Sequence, residues 1–365
     1  MELEELLAQI TPADKPAMEH CRKTWDAIAK PINGLGHLEE MLVRVAGATG
    51  KTDLALGAKA VAVFCADNGV VAQGVTQTGQ EVTLAVAQAL GEGRSSVCHM
   101  ARVAGAQVIP VDVGMLAHDP VPGVRDLSVR PGTADITKGP AMSRQEAQAA
   151  LMAGAQVAQE LDDQGIALLA AGEMGIGNTT TAAAVTSVLL DLPASVTAGR
   201  GAGLSDAGLV HKVTVIQRAL VQNQPDRKDP LDVLSKVGGL DIAAMTGFYL
   251  GAASRKRPVL LDGAISCAAA LLAVRLCPNA RKAMLASHRP AEPCGQLLLT
   301  ELGLEPVLDA GLHLGEGTGA VAAMPLLDMA LSVYQNMSTF DHMGIEAYHP
   351  DGRAVSGPAL TGVSR

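Results

Sequence analysis

Aromatic side chains are nearly missing. One Trp, three Tyr and three Phe make up 2% of the 365 residues. So few rings exclude the base-stacking platforms that single-stranded nucleic acids require. They also leave the core to Ala, Val, Leu, Ile and Met, because hydrophobic residues still reach 48%. Basic residues are in deficit, 28 against 37 acids, for a formal net charge of −9. A general nucleic-acid binder shows the opposite balance. A small anion would have to be held locally, by backbone N–H groups, a helix N-terminus and one or two cations.

The chain also lacks a C-x-x-C pair. Its six cysteines, Cys21, Cys65, Cys98, Cys267, Cys277 and Cys294, are scattered, and several sit in apolar runs. Reduced buried thiols and a cytoplasmic location are the expectation. No apolar stretch is long and unbroken enough to span a membrane. The start, MELEELLAQITPADKP, has neither the basic opening nor the apolar run of a signal peptide. No heptad pattern, internal repeat or low-complexity segment is present.

What is present is glycine, 39 residues of it, and a repeated form. KAVAVFCAD (59–67), QVIPVDVG (107–114), GIALLAAGEMG (165–175) and RPVLLDGAIS (257–266) are apolar runs with polar or glycine-rich ends. Helical patterns lie between them, and SRQEAQAALMAGAQVAQEL opens with Ser143 and Glu146 spaced as a capping box. Buried strands alternating with helices predict an α/β fold: a Rossmann-like parallel sheet flanked by helices. Ligands of such sheets sit at the carboxyl ends of the strands. The first thirty residues and AVAAMPLLDMALSVYQNM read as helices, so both termini are expected to form a small helical domain. The division is 1–45 with 325–365 for that domain, and 46–324 for the large α/β catalytic domain. A loose tail is expected from about Tyr348.

The strongest local signal is AAGEMGIGNTTTAAAV (170–185). A buried strand ends at Glu173, Gly175 and Gly177 turn the chain, and Asn178-Thr179-Thr180 open an Ala-rich helix. Hydroxyls, N–H groups and a helix dipole converge there, which suits a phosphate. An ordinary capped helix fits the segment equally well. GATGKT (47–52) imitates a P-loop, but Val45 stands where that pattern needs glycine, so a surface turn is expected. GRGAGLSDAGLVHK (199–212) allows close backbone approach to a ligand with Lys212 reaching a phosphate, although by itself it reads better as a flexible connection with a solvated lysine. Asp67 and Asn68 in CADNGV read as caps or ligand contacts. SHRPAEPCG (287–295) reads as a structured surface loop, and DHMGIEAYHPDG (341–352) as a solvated tail without metal-ligand spacing.

Near the end of the chain, GLHLGEGTGA (311–320) places Glu316 between two glycines. Apolar neighbours suggest a poorly solvated carboxyl, and desolvation raises its pKa toward that of a base useful near neutrality. A helix-capping carboxylate is the simpler alternative.

Taken together, KPINGLGHLEEM (30–41), CADNGVVAQGV (65–75), GPAMSR (139–144), GEMGIGNTT (172–180), LSKVGGLDIAAMTG (234–247), PVLLDGAISCAAAL (258–271), ASH (286–288) and LGEGTGA (314–320) closely resemble the nicotinate-nucleotide–dimethylbenzimidazole phosphoribosyltransferase family of cobamide synthesis. The collinear match covers nearly the whole chain. The resemblance implies transfer of ribose 5-phosphate from nicotinate mononucleotide to a base such as 5,6-dimethylbenzimidazole, by a homodimer with no metal and no organic cofactor. It implies that Glu316 is the catalytic base and Glu173 a second carboxylate at the reaction centre. Phosphate contacts map onto Gly175, Gly177, Asn178, Thr179 and Thr180, with Lys212 supplying charge. The acceptor-base pocket maps onto Asn68, Thr78, Val86 and Leu314. The family usually has His at position 68 and often Ser-Pro at 78–79, and a close relative has Gln at 86. These departures point at acceptor choice. Two other readings stand beside it: a relative acting on adenine or phenolic acceptors, alone or as one subunit of a heteromer, or a non-catalytic nucleotide-binding protein. Nothing in the pattern implies nucleic acid or membrane as a partner.

Overall fold

The computed structural model describes residues 2–116 and 119–348. Six strands form one sheet: β1 (Ala58–Ala66), β2 (Ala106–Gly114), β3 (Arg125–Asp126), β4 (Ile166–Met174), β5 (Val259–Leu261) and β6 (Met284–Ala286). Their spatial order is β3-β2-β1-β4-β5-β6, and every neighbouring pair is parallel. This is the strand order of the doubly wound dinucleotide-binding fold, which opens a crevice where the order reverses, at the carboxyl ends of the strands.

Burial on both faces explains why the strands read as continuous apolar runs. Along β1 the side chains alternate between two cores. Ala60, Ala62, Phe64 and Ala66 face one, while Val61, Val63 and Cys65 face the other. The first core is covered by the helices Arg144–Asp163, Asn178–Leu190, Leu240–Ser254 and Ala264–Leu276. The second is covered by Lys15–Ala27, His37–Thr49, Ser96–Ala104 and Thr318–Asn336.

With few aromatics, close backbone approach replaces bulk. The helices Arg144–Asp163 and Leu240–Ser254 cross on a glycine seam. A Cβ on Gly154 would collide with the Ala244 carbonyl, and one on Gly247 with the Leu151 carbonyl. On Gly251 it would stand 2.7 Å from the Ala155 carbonyl oxygen.

The ring of Trp25 meets Tyr334 edge-on at 5.1 Å, and an antiparallel bridge joins Ile28 to Thr339, so helices from the two ends of the chain pack together. They share their core with Val61, Val63 and Leu168 of the sheet. Leu3 and Leu6 of the first helix, Leu3–Ala8, pack instead into the opposite core. Divisions at 45/46 and 324/325 fall inside the continuous helices His37–Thr49 and Thr318–Asn336. Pro325 sits within the second of these. The 47–52 stretch is the end of a helix, closed by Gly50 in the left-handed conformation. The tail from residue 349 onward lies outside the described residues.

Candidate active site

Four strand ends deliver polar side chains to one rim. β1 is followed by Asp67 and Asn68, β4 closes with Glu173, β5 is followed by Asp262, and β6 by Ser287 and His288. A cavity of about 320 Å³ opens above β4, β5 and β6. Its walls come from the 173–179 turn, the 312–318 turn, and loops at 75–78, 200–204 and 290–292.

Glu316 occupies a backbone conformation that its own residue type disfavours. Gly315, Glu316 and Gly317 are consecutive left-handed residues, with φ of +89°, +59° and +85°. Glycine adopts this at no steric cost, whereas a residue with a Cβ loses roughly 1–2 kcal/mol. The surroundings hold the turn in place. Glu316 N–H donates to the Glu173 carbonyl at 3.2 Å. Asp262 Oδ2 accepts from Gly317 N–H at 3.1 Å, and its Oδ1 accepts from Gly319 at 2.7 Å and Ala320 at 3.1 Å. Asp262 therefore caps the helix that begins at Thr318 and fixes the turn before it. The glycines are also needed for room. A Cβ on Gly317 would stand 2.6 Å from Val61 Cγ2, one on Gly315 2.6 Å from Glu173 Oε1, and one on Gly172 would collide with the backbone of Glu316 and Gly317.

The Glu316 carboxylate points to the start of the helix Ser96–Ala104, where its Oε2 accepts from Val97 N–H at 3.3 Å. Burial pushes its pKa up, opposed by that N–H and by the Ser95 hydroxyl. The group is thus oriented by a helix N-terminus and made more basic by its dry setting. Glu173 is buried more deeply. Burial, with Asp241 adding to it, raises its pKa to about 8, against a lowering hydrogen bond from Asn178. Asn178 Nδ2 donates both to Glu173 Oε2 and, at 2.9 Å, to Asp241 Oδ2. Burial likewise lifts Asp241, to about 6. Burial thus favours the protonated form of Glu173.

Asp262 and His288 form a second titrating pair. Burial raises the Asp262 carboxyl, with the opposing pull of His288. Burial lowers His288, against the attraction of Asp262. Ser287 Oγ lies 3.0 Å from His288 Nδ1 and donates to the Leu261 carbonyl. The 287–288 segment is therefore an interior wall and not the surface loop that its sequence suggests: both residues are buried. Gly319 makes this possible, because a Cβ there would overlap the His288 ring.

On the opposite wall the helix Asn178–Leu190 begins after Gly177, which is left-handed at φ +95°. Gly175, Gly177, Asn178 and Thr179 line the cavity. So do Glu173, Glu316, Thr78, Val86 and Leu314. Three expected contacts do not. Asn68 is wholly buried beneath the turn, its amide wedged 3.1 Å from where a Gly175 Cβ would be and 2.7 Å from where a Gly239 Cβ would be. Its side-chain oxygen and nitrogen have no hydrogen-bond partner. Thr180 faces inward with its hydroxyl buried and unpartnered. Lys212 is not solvated but fully buried, with Nζ donating to Thr179 Oγ1 at 2.8 Å and to the Gly199 carbonyl at 3.1 Å. It lies just behind the lining. A Cβ on Gly201, another left-handed position, would stand 3.0 Å from Thr179 Oγ1 and 3.7 Å from Lys212 Nζ. The 199–204 loop is thus part of the cavity wall. Among the described residues no group of three or more His, Cys, Asp or Glu side chains is arranged to hold a metal ion, and no helix is long and apolar enough to cross a membrane.

An open-mouthed cavity at the strand ends of a Rossmann-like sheet, with two carboxyls of raised pKa facing a glycine turn and helix N-terminus, defines a small-molecule enzyme of the anion-handling kind. Comparison with known proteins makes this specific. The DBI_PRT family model, described as Phosphoribosyltransferase, matches residues 10–345, and the chain belongs to that family. It is 42% identical over 346 residues to a protein of Acetivibrio thermocellus named nicotinate-nucleotide–dimethylbenzimidazole phosphoribosyltransferase, covering 95% of this chain and 99% of the relative. The protein of that name from Chloroflexus aggregans is 44% identical over 344 residues, covering 94% and 98%. The crystal structure of CobT from Thermus thermophilus superposes with a TM-score of 0.86 at 42% identity, over 91% of this chain and 99% of that one.

Proposed function

We propose that the chain transfers ribose 5-phosphate from nicotinate mononucleotide to a lower-ligand base such as 5,6-dimethylbenzimidazole, giving α-ribazole phosphate and nicotinate. Glu316 takes the N–H proton of the base. The electron pair so freed makes the other ring nitrogen nucleophilic, and that nitrogen bonds to C1′ from the face opposite the nicotinate. The C1′–N bond breaks with its electron pair going to the pyridine nitrogen, so the leaving group departs as neutral ring nitrogen and needs no acid. Positive charge develops on the sugar during the exchange, and carboxyl groups beside it lower the barrier. Glu173 answers that charge best, because an adjacent cation draws off the proton that burial otherwise retains. The sugar phosphate lies against Gly175, Gly177 and Thr179, with the Lys212 ammonium behind Thr179 and Gly201. Thr78, Val86 and Leu314 border the acceptor.

The observation that carries this reading is the tie between Glu316 and Glu173 across one cavity beside the 175–179 turn. The decisive experiment incubates the protein with nicotinate mononucleotide and a panel of benzimidazoles, adenine and phenols. Ribazole phosphate from benzimidazoles is expected, and product from adenine or phenols alone would replace the proposed acceptor. Glu316→Gln is expected to lose about 10²–10⁴-fold in turnover while nucleotide affinity holds. Undiminished turnover would remove Glu316 from the chemistry. We place the enzyme in the cytoplasm as a homodimer. The six unpaired cysteines support the first point, and light scattering of the purified chain tests the second.

A further inference from the structure

Glu292 stands immediately before the helix Pro293–Leu302, yet its side chain does not cap that helix. It crosses the cavity wall instead. Its Oε1 accepts from Gly201 N–H at 2.8 Å, and its Oε2 lies flush against Gly199, where a Cβ would overlap it. Lys212 Nζ is bound to the Gly199 carbonyl and to Thr179 Oγ1. A carboxylate and an ammonium therefore bracket the same short loop from two sides without touching in a direct ion pair, and Glu292 is the one carboxylate whose charge acts on Lys212 among the described residues.

We infer that Glu292 is a positioning residue for the sugar-phosphate half of the cavity: it pins the 199–203 loop through Gly201 N–H and serves as counter-charge for buried Lys212. The inference rests on the phosphate reading of Lys212 given above. A carboxylate beside an anion site looks adverse at first, since it repels the ligand. Burial, however, is the larger threat to binding, because it favours the neutral amine, which attracts no phosphate. Burial lowers Lys212, and Glu292 is the main group that opposes it. Among the described residues the one other titratable group acting on the ammonium is the Cys294 thiol, which burial pushes up to about 12, so it stays neutral through the working range.

Two substitutions separate the two roles. Gln at 292 still accepts the Gly201 N–H but carries no charge, whereas Ala loses both. Affinity for nicotinate mononucleotide and for inorganic phosphate is measured by calorimetry between about pH 7 and pH 10, alongside unfolding midpoints. Glu292→Gln is expected to bind like the parent at the acid end and to lose affinity at a pH about one unit lower than the parent does. Glu292→Ala is expected to bind about tenfold more weakly throughout. Tighter binding by Glu292→Gln would show that the carboxylate competes with phosphate, and would overturn the inference. So would an alkaline limb that stays where it is. A parent protein that binds the nucleotide but turns over no acceptor defeats the proposed reaction alone, because the affinities still report on Glu292. A parent that binds neither ligand defeats both.

Discussion

The backbone N–H of Glu316 donates to the backbone carbonyl of Glu173, so the two carboxyl-bearing residues of the cavity are joined through main chain at 3.2 Å, although 143 positions separate them in sequence. A strand end and a left-handed turn thereby set one distance in common. The side chains remain free to differ in protonation while their spacing is held.

Asp262 should matter to that geometry without touching the reacting atoms. Its two oxygens accept three N–H groups around Gly317, Gly319 and Ala320. Asp262→Asn presents an amide NH₂ to at least one of those donors. Stability is expected to fall by about 1–3 kcal/mol in urea unfolding, and kcat by about 10²-fold through displacement of Glu316. Parent-like kcat with lowered stability would confine Asp262 to folding.

Gly172 offers a test from the opposite side. It lies inside β4, where a methyl group would strike the backbone of Glu316 and Gly317. Gly172→Ala is expected to lose about 1–3 kcal/mol and to reduce kcat far more than it raises the KM for the nucleotide. Steady-state kinetics on the folded variant decide this.

The raised pKa of Glu173 fixes a sign. Its carboxyl holds a proton up to about pH 8 in the folded chain, against an ordinary value of 4.5. Between these values the unfolded chain has released a proton that the folded chain keeps, so this group's contribution to stability falls as pH rises. Glu173→Gln cannot titrate. The parent's stability relative to that variant is therefore expected to decline steadily from about pH 5 to pH 8, by a few kcal/mol at most. A flat difference would mean that Glu173 is ionised in the folded protein throughout.

Leu314 is 55% exposed and lines the cavity mouth. Leu314→Ala is expected to leave unfolding within about 0.5 kcal/mol of the parent and, on the proposal that its side chain packs against the acceptor base, to raise the KM for the acceptor about tenfold. A change confined to the nucleotide KM would place the acceptor elsewhere.

β1, β2 and β4 are legible in the sequence because burial on both faces demands long apolar runs. β3 is not, since Arg125–Asp126 is two polar residues long, and neither is β6, whose three residues sit in a short apolar stretch between Lys282 and Ser287. The glycines around Glu316 flag an unusual backbone, and the strand-end rule places Glu173 and the 175–179 turn on the correct rim. Asp262 escapes notice, and His288 is read as part of a surface loop, because the 317–320 segment that binds the one and covers the other lies far away along the chain. Spacing carries no trace of such a contact. Asn68 misleads for a related reason. A polar residue after a strand belongs to the rim, but whether its side chain rises into the cavity or turns beneath Gly175 and Gly177 depends on packing from Gly239. Lys212 shows the same limit: a lysine at the start of a helical pattern looks solvated until the loop that covers it is known.

The crossing of Arg144–Asp163 and Leu240–Ser254 on Gly154, Gly247 and Gly251 leaves no slack beneath the sheet. Even one added methyl there meets a carbonyl, so enlarging residues on that layer are closed to an evolving lineage. Change is thereby pushed outward, onto exposed cavity-rim positions such as Thr78 and Leu314, which lie away from that seam.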